Sequence, residues 1–184
     1  MCWHKFYGIY SFTGKIYILG GILILSCKGK FSEIGKQLQS VLVAFMQSDD
    51  LMRLIYYKDS DPLSQPAVPD VYSTLNTQLF PFAYRPPSDT QNIYISVFFG
   101  DFRKSENNPF FKRGRLYVNV AVHRDLYLIN NSTRIYEIMH QVDSILNRMD
   151  VTGSLSKDWF ERAMYSNVND FYPSYTLEYQ MWDA

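Results

Sequence analysis

The chain has 184 residues, of which 47% are hydrophobic and 20% charged, and its 18 basic and 18 acidic side chains give a net charge of +0. Those values exclude a disordered or fibrous chain, leave a second domain unnecessary, and give the surface as a whole no attraction for nucleic acid. Aromatic residues reach 17%, with 15 Tyr and 13 Phe, a content that suits broad, half-wet protein–protein surfaces. The 2 cysteines, Cys2 and Cys27, both stand near the N-terminus, so no disulfide framework supports the main body. A reducing compartment, or a fold that does not need bridges, is expected.

Residues 1–30 differ from the rest of the chain. Residues 16–27 form an apolar run around Gly20 and Gly21, with Lys15, Lys28 and Lys30 nearby. The run is too short to span a bilayer, which takes roughly 20 residues. Three readings compete. One is a strand pair turning at Gly20 and Gly21 and added to a sheet edge or a neighbouring subunit. Another is the apolar core of a secretion signal, in which Ile24-Leu25-Ser26-Cys27 resembles a lipoprotein cleavage box. The third is a start assigned upstream of the natural one. The strand pair is carried forward, as an extension over residues 1–30 ahead of one domain over residues 31–184.

From Phe31 the pattern turns helical. Ser32 is a candidate cap, and Ile34, Leu38, Val41, Leu42 and Phe45 fall on one stripe. Ser48-Asp49-Asp50 reads as a break and a new cap before a short helix carrying Leu51, Leu54 and Ile55. Residues 58–92 hold Pro62, Pro66, Pro69, Pro81, Pro86 and Pro87. So long an excursion is expected to be functional or to pack on a partner. Within it, Leu79-Phe80-Pro81-Phe82 is apolar enough to anchor on a neighbouring molecule.

Ile93, Ile95, Val97 and Phe99 alternate with Tyr94, Ser96 and Phe98 in a strand covered on both faces. Residues 100–112, with Asn107-Asn108-Pro109, read as a loop around which Lys104, Lys112, Arg113 and Arg115 cluster. A solvated or interface loop is the main reading there, and a phosphate-contacting arm the other. Leu116, Val118, Val120 and Val122 then share one strand face, with Tyr117, Asn119, Ala121 and His123 on the other. Residues 125–132 turn the chain, and Asn130, Asn131 and Ser132 are suited to cap a helix. Ile135, Ile138, Met139, Val142, Leu146 and Met149 draw the helix stripe, which ends before Gly153. Arg134, Glu137, Gln141, Asp143, Asn147 and Arg148 are assigned to its remaining sides. Strand character returns over residues 159–166. A closing strand comes next, in which Tyr175, Leu177, Tyr179 and Met181 alternate with Thr176, Glu178 and Gln180. A one-faced strand succeeded by a one-faced helix closes as a helix laid on a sheet.

No catalytic pattern emerges from the same residues. His4, His123 and His140 are too few and too scattered for a metal cluster. Neither cysteine has a nucleophile's local signature, no glycine-rich phosphate loop is present, and no serine sits between glycines in the elbow pattern. Asp49 and Asp50 read as a cap, Asp59 and Asp61 as loop residues. A structural or binding role without cofactor or metal is therefore expected.

The order of elements supplies a resemblance. Helices come first, then the proline-rich excursion ending in Asp89-Thr90-Gln91, an aromatic strand, the strand from Leu116, the helix from Arg134 and the closing Tyr175-Thr176-Leu177-Glu178-Tyr179. Over residues 31–183 this resembles the tail terminator, or tail completion, proteins of long-tailed bacteriophages. The resemblance implies an α+β subunit, a mixed and mainly antiparallel sheet flanked by helices, assembling as a six-membered ring. Such a ring sits at the head–tail junction of the virion after assembly in the host cytoplasm. It caps the tail tube, meets the head-closure or connector protein, and passes DNA through its lumen without sequence recognition or membrane contact.

The family has no catalytic motif to map, so the candidate site residues are interface residues. Leu79, Phe80 and Phe82 are candidates to anchor on a neighbour, Lys104, Lys112 and Arg113 to face the tube or lumen, and Tyr17, Ile18 and Ile22 to add a strand to an adjacent subunit. The 1–30 extension has no counterpart in the short family members, which keeps a neck or head-completion role open. Three further alternatives are a lipid-anchored envelope protein processed at Cys27, an enzyme built from His123, Arg124 and Asp125, and an unassigned binding module.

Overall fold

The computed structural model describes residues 17–19, 22–24, 31–104, 112–130, 132–148 and 160–181. The chain divides into two compact units, Met1–Lys30 and Phe31–Ala184. In the first, β1 (Tyr17–Leu19) and β2 (Ile22–Ile24) pair antiparallel, with Ile18 opposite Leu23 and Leu19 opposite Ile22. Gly20, Gly21, Cys2, Cys27 and His4 lie outside the described residues, as do Asn107 to Pro109, Asn131, Met149, Gly153 and Trp159.

The second unit is α+β, an open and mainly antiparallel sheet with three helices among its described residues. α1 (Phe31–Met46) buries Val41, Leu42 and Phe45, the end of its apolar stripe. The chain breaks at Ser48, whose hydroxyl accepts the Leu51 N–H at 3.4 Å and caps α2 (Asp49–Tyr56). Asp49 and Asp50 occupy its first turn, where the helix dipole favours negative charge. Leu51, Met52, Leu54 and Ile55 bury the other side. α3 (Arg134–Arg148) buries Ile135, Ile138, Val142 and Leu146, so the period read from sequence is the period that packs.

The sheet is formed by β3 (Leu79–Phe80), β4 (Ile93–Lys104), β5 (Lys112–Val122), β8 (Phe160–Asn169) and β9 (Tyr172–Met181), in the order β3-β4-β5-β9-β8. Only the β3–β4 pairing is parallel. Two short strands, β6 (Leu128–Ile129) and β7 (Ser132–Thr133), pair with each other ahead of α3. Alternation decides the layers: Ile93, Ile95 and Val97, Leu116, Val118, Val120 and Val122, and Leu177 and Tyr179 meet all three helices in one core. Each such aliphatic side chain contributes roughly 1.5–3 kcal/mol relative to its exposed state. A second, smaller cluster of Phe80, Tyr94, Ala121 and Tyr172 occupies the opposite sheet face.

Three expectations change. Residues 100–112 are not one loop, because β4 runs on to Lys104 and β5 begins at Lys112. A bulge between Gly100 and Arg103, with Asp101 at φ 55, bends this extension. Both of its faces are rich in charge, so the apolar alternation that marks a strand is missing there. Asn130 and Ser132 do not cap α3 either. The Asn130 N–H donates to the Ser60 carbonyl, and Ser132 belongs to β7. Finally, α1 begins at Phe31, which puts Ser32 inside the helix rather than at its cap.

Candidate assembly surfaces

β8 ends the sheet, so among the described residues one whole side of its backbone has no strand beside it. Its burial is unusual for a ten-residue strand: every residue from Phe160 to Asn167 is exposed. Edge strands are normally protected by charge, proline or shortness. Here the two charged residues, Glu161 and Arg162, are turned to partners on the sheet, and residues 163–168 carry none. Met164 pairs in register with Thr176 and lies on one face, while Tyr165 pairs with Tyr175 on the other. The opposite edge is unlike this one. β3 is two residues long and both are buried.

An ion cluster closes one end of the open sheet face. The Arg115 guanidinium reaches Glu161 with two bonds of 2.7 Å and Asp101 with a third. Arg162 holds the buried Glu178 at 3.0 Å, and Arg103 stands 3.5 Å from Asp101. Hydrogen bonds from Tyr117 and Arg115 hold the Asp101 carboxyl below the usual carboxylate range, and the Glu161 carboxylate pushes Arg115 up. Asp101 itself sits at positive φ, within the bulge of β4.

Tyrosines dominate the helix-side face next to β8. The Tyr136 and Tyr175 hydroxyls are 2.9 Å apart, Tyr165 packs edge-on against Tyr175, and Leu128 is 74% exposed nearby in the chain turn before α3. Sharing that hydrogen bond with Tyr136 pushes Tyr175 up to about 12. Burial raises Tyr179, bonded to Asp143, and Tyr172 further still. A raised folded value means the neutral form is the stabilised one. Stability is then fully present below about pH 10, the unfolded value, and is lost as pH rises through the folded values. An alkaline titration monitored by tyrosinate absorbance is expected to show these three ionising late and together with loss of far-ultraviolet circular dichroism. Early, independent ionisation of all tyrosines would contradict the packing described.

The proline-rich excursion is tied to its own sheet. The Tyr172 hydroxyl donates to the Thr90 carbonyl and accepts the Asn92 N–H, and the Gln78 amide donates to the Ile55 carbonyl and to Asn92. Phe80 stacks on Tyr84 at 3.8 Å and touches Tyr94. This corrects the anchor reading of Leu79 and Phe80. Leu79 belongs to the main core and Phe80 to the second cluster, because β3 pairs with β4 and places one residue on each face. Phe82 alone of the three stays on the surface, 50% exposed.

The other candidates have the following positions, each within its own unit. His123 is buried, with its ring stacked on Phe171 and edge-on to Tyr172, and its Nδ1 accepts the Asp125 N–H. Arg124 lies 4.6 Å over the same Phe171 ring, and Asp125 accepts a bond from Gln91. Packing engages all three. Lys104 stands opposite Lys112, and Arg103 opposite Arg113, on the paired extension of β4 and β5. Tyr17 and Ile18 lie on β1 and Ile22 on β2. Among the described residues, no three of His, Cys, Asp and Glu gather as metal ligands, and no helix is long and apolar enough to cross a membrane.

Sequence alone misplaces one structural residue. Arg134, assigned to an outer side of α3, is 0% exposed. Its guanidinium donates to the carbonyls of Leu54, Tyr57, Asp59 and Leu126, which bonds the C-terminal end of α2 to the start of α3. The signal is present, because Arg134 precedes Ile138 and Val142 at steps of four and therefore sits on the apolar stripe itself.

The fold is α+β, built on a five-stranded sheet whose outer strand β8 has no strand on its far side among the described residues. Residues 48–181, well over half of the chain, match the YomW family, and the chain belongs to it. That family carries a phage-derived, Bacillus prophage-like gene name, and the protein is accordingly phage-associated. No curated protein matches the chain.

Proposed function

We propose that this protein is a structural component of a tailed-phage virion, a subunit that closes into a ring at the head–tail junction, caps the tail tube and joins it to the head connector. Its role in this reading is assembly rather than catalysis, and it takes no cofactor. The observation that carries the proposal is β8, an edge strand of ten residues, exposed from Phe160 to Asn167, with Phe160, Met164 and Tyr165 on its surface. An edge so thinly charged, beside an aromatic face, is material for strand addition by a neighbour. The two sheet edges are unlike, which suits a head-to-tail ring, where one patch meets a different patch on the next copy. The separate Met1–Lys30 unit favours a second reading within the same connector, a neck or head-completion protein.

The test is the mass of the purified chain by native mass spectrometry, alone and mixed with tail tubes. A six-fold mass supports the ring. The pair Met164→Lys and Tyr165→Glu, which puts charge on both faces of the edge, is expected to return the mass to one subunit with an unchanged circular dichroism spectrum. A wild-type chain that stays a single subunit under both conditions overturns the reading.

A further inference from the structure

A head-to-tail contact needs two unlike patches that fit one another, and the second unit carries such a pair. One is a shelf of three tyrosines at the β8 end of the sheet. The Tyr136 and Tyr175 hydroxyls share a hydrogen bond of 2.9 Å, their ring centroids are 5.6 Å apart, and Tyr165 packs edge-on against Tyr175 at 5.3 Å. Tyr136 and Tyr165 are exposed, and residues 163–168 beside them carry no charge. Of the two hydroxyl hydrogens in the bonded pair, one lies between the oxygens and the other is left to donate elsewhere. The second patch is Gln65-Pro66-Ala67-Val68-Pro69. Gln65 has φ −70 and ψ 155. Both prolines hold φ at about −65°, and Val68 precedes a proline, so the stretch favours polyproline II. That helix repeats every three residues, which puts Pro66 and Pro69 along one ridge. Both are exposed, whereas Val68 is buried in the main core and pins the segment. Among the described residues no carbonyl from Gln65 to Pro69 accepts a hydrogen bond, and residues 62–69 are uncharged.

We propose that the tyrosine shelf of one copy receives the Pro66–Pro69 ridge of the next copy, an inference that deepens the ring reading and rests on it. Proline ridges in this conformation dock on aromatic surfaces, because the segment is ordered before it binds and loses little entropy. The segment is rich in acceptors, since its two prolines have no N–H. It meets phenol donors, and the backbone N–H groups on the side of β8 that has no strand beside it among the described residues. Neither patch buries a charge. One copy cannot satisfy itself. The excursion leads from Pro69 into β3, the first strand of the sheet, while the shelf stands at β9 and β8, the last two. At about 4.8 Å per strand the two edges are roughly 19 Å apart. α3 stands between the patches, with Arg134 turned to residues 54–59 and Tyr136 turned to Tyr175. A neighbour placed head to tail is therefore the occupant, ahead of a foreign proline-rich chain.

Native mass spectrometry of full-length variants, alone and in pairs, is the test. Pro66→Ala with Pro69→Ala breaks the segment and leaves the shelf. Tyr136→Lys breaks the shelf and leaves the segment, and Tyr165→Glu is a second shelf variant should the first not fold. Each alone is expected at the mass of one subunit. Their equimolar mixture is expected at the mass of two subunits and no more, because only one intact shelf and one intact segment can then meet. A six-fold mass for the segment variant overturns the inference and leaves the ring standing, and so does a mixture that stays at one subunit. Should the wild type itself stay a single subunit, the ring reading fails on its own, and a labelled peptide of residues 59–72 decides the inference by fluorescence anisotropy against the full-length chain. Binding that weakens on the order of 10-fold with Tyr136→Lys supports the shelf. No binding, or equal binding by that variant, overturns it.

Discussion

Replacing Arg134 by methionine is expected to lower the unfolding free energy by about 3–5 kcal/mol, although no catalytic or surface group is touched. Methionine fills much of the same space but offers no donor to the carbonyls of Leu54, Tyr57, Asp59 and Leu126. A buried acceptor left without a partner costs about 1–3 kcal/mol, and neighbouring losses add only in part. Two of those carbonyls, from Leu54 and Tyr57, belong to the C-terminal end of α2, where the helix dipole is negative and a cation is favoured. Burial pulls the guanidinium below its usual pKa, with Asp59 offsetting part of that, and it stays charged in the fold. Lysine at this position keeps the charge but not the planar fork, so Arg134→Lys is expected to fall between wild type and Arg134→Met. Urea unfolding measures all three. An unfolding free energy for Arg134→Met within about 1 kcal/mol of wild type would show that water or backbone shifts replace the lost bonds.

Truncating Tyr172 to alanine is the second large effect, expected at about 3–5 kcal/mol for loss of a fully buried aromatic ring. The ring fills the cluster on the open sheet face, against Tyr94 and His123, and its hydroxyl holds residues 90 and 92 of the excursion. Phenylalanine keeps the ring and loses only the hydroxyl, at an expected cost of about 1–3 kcal/mol. The two variants separate packing from tethering. Limited proteolysis of Tyr172→Phe is expected to cut within residues 85–92 at a rate the wild type does not show, while the sheet stays intact. If cleavage there is unchanged, the excursion is held by Gln78 and Asn169 rather than by the hydroxyl.

The parts of the fold legible in the sequence are those in which one element has one buried side. Val118 and its alternate neighbours on β5, Ile138 and its neighbours on α3, and the Ser48 cap all arise from local spacing. Where the partner lies far along the chain, spacing misleads. Leu79 and Phe80 read as an exposed anchor because the strand that covers them, β4, is reached only through a parallel pairing. Arg134 reads as solvated because its acceptors lie in residues 54–59 and 126, before the helix it begins. β8 carries little apolar alternation for a different reason: it is exposed from Phe160 to Asn167, so no face is required to be apolar. Of the candidate surfaces, Lys104, Lys112 and Arg113 stand out by their charge, but their opposition in rungs is a matter of register and shows only in the fold. β8 reads as a strand whose edge position is invisible in the sequence.

Apart from the two-residue β3, the sheet consists of two hairpins joined along one seam. β4 and β5 are consecutive strands, as are β8 and β9, whereas the seam sets Val118 of β5 against Leu177 of β9 with the whole of α3 between them. Closing so long a loop loses chain entropy that is recovered only when the full ladder has formed. Seam closure is therefore the expected slow step of folding, and until it occurs the inner sides of β5 and β9 stand open to any strand that arrives first. The yield of folded chain is then expected to depend on how quickly this one seam closes on a newly made chain as well as on how firmly the finished sheet holds.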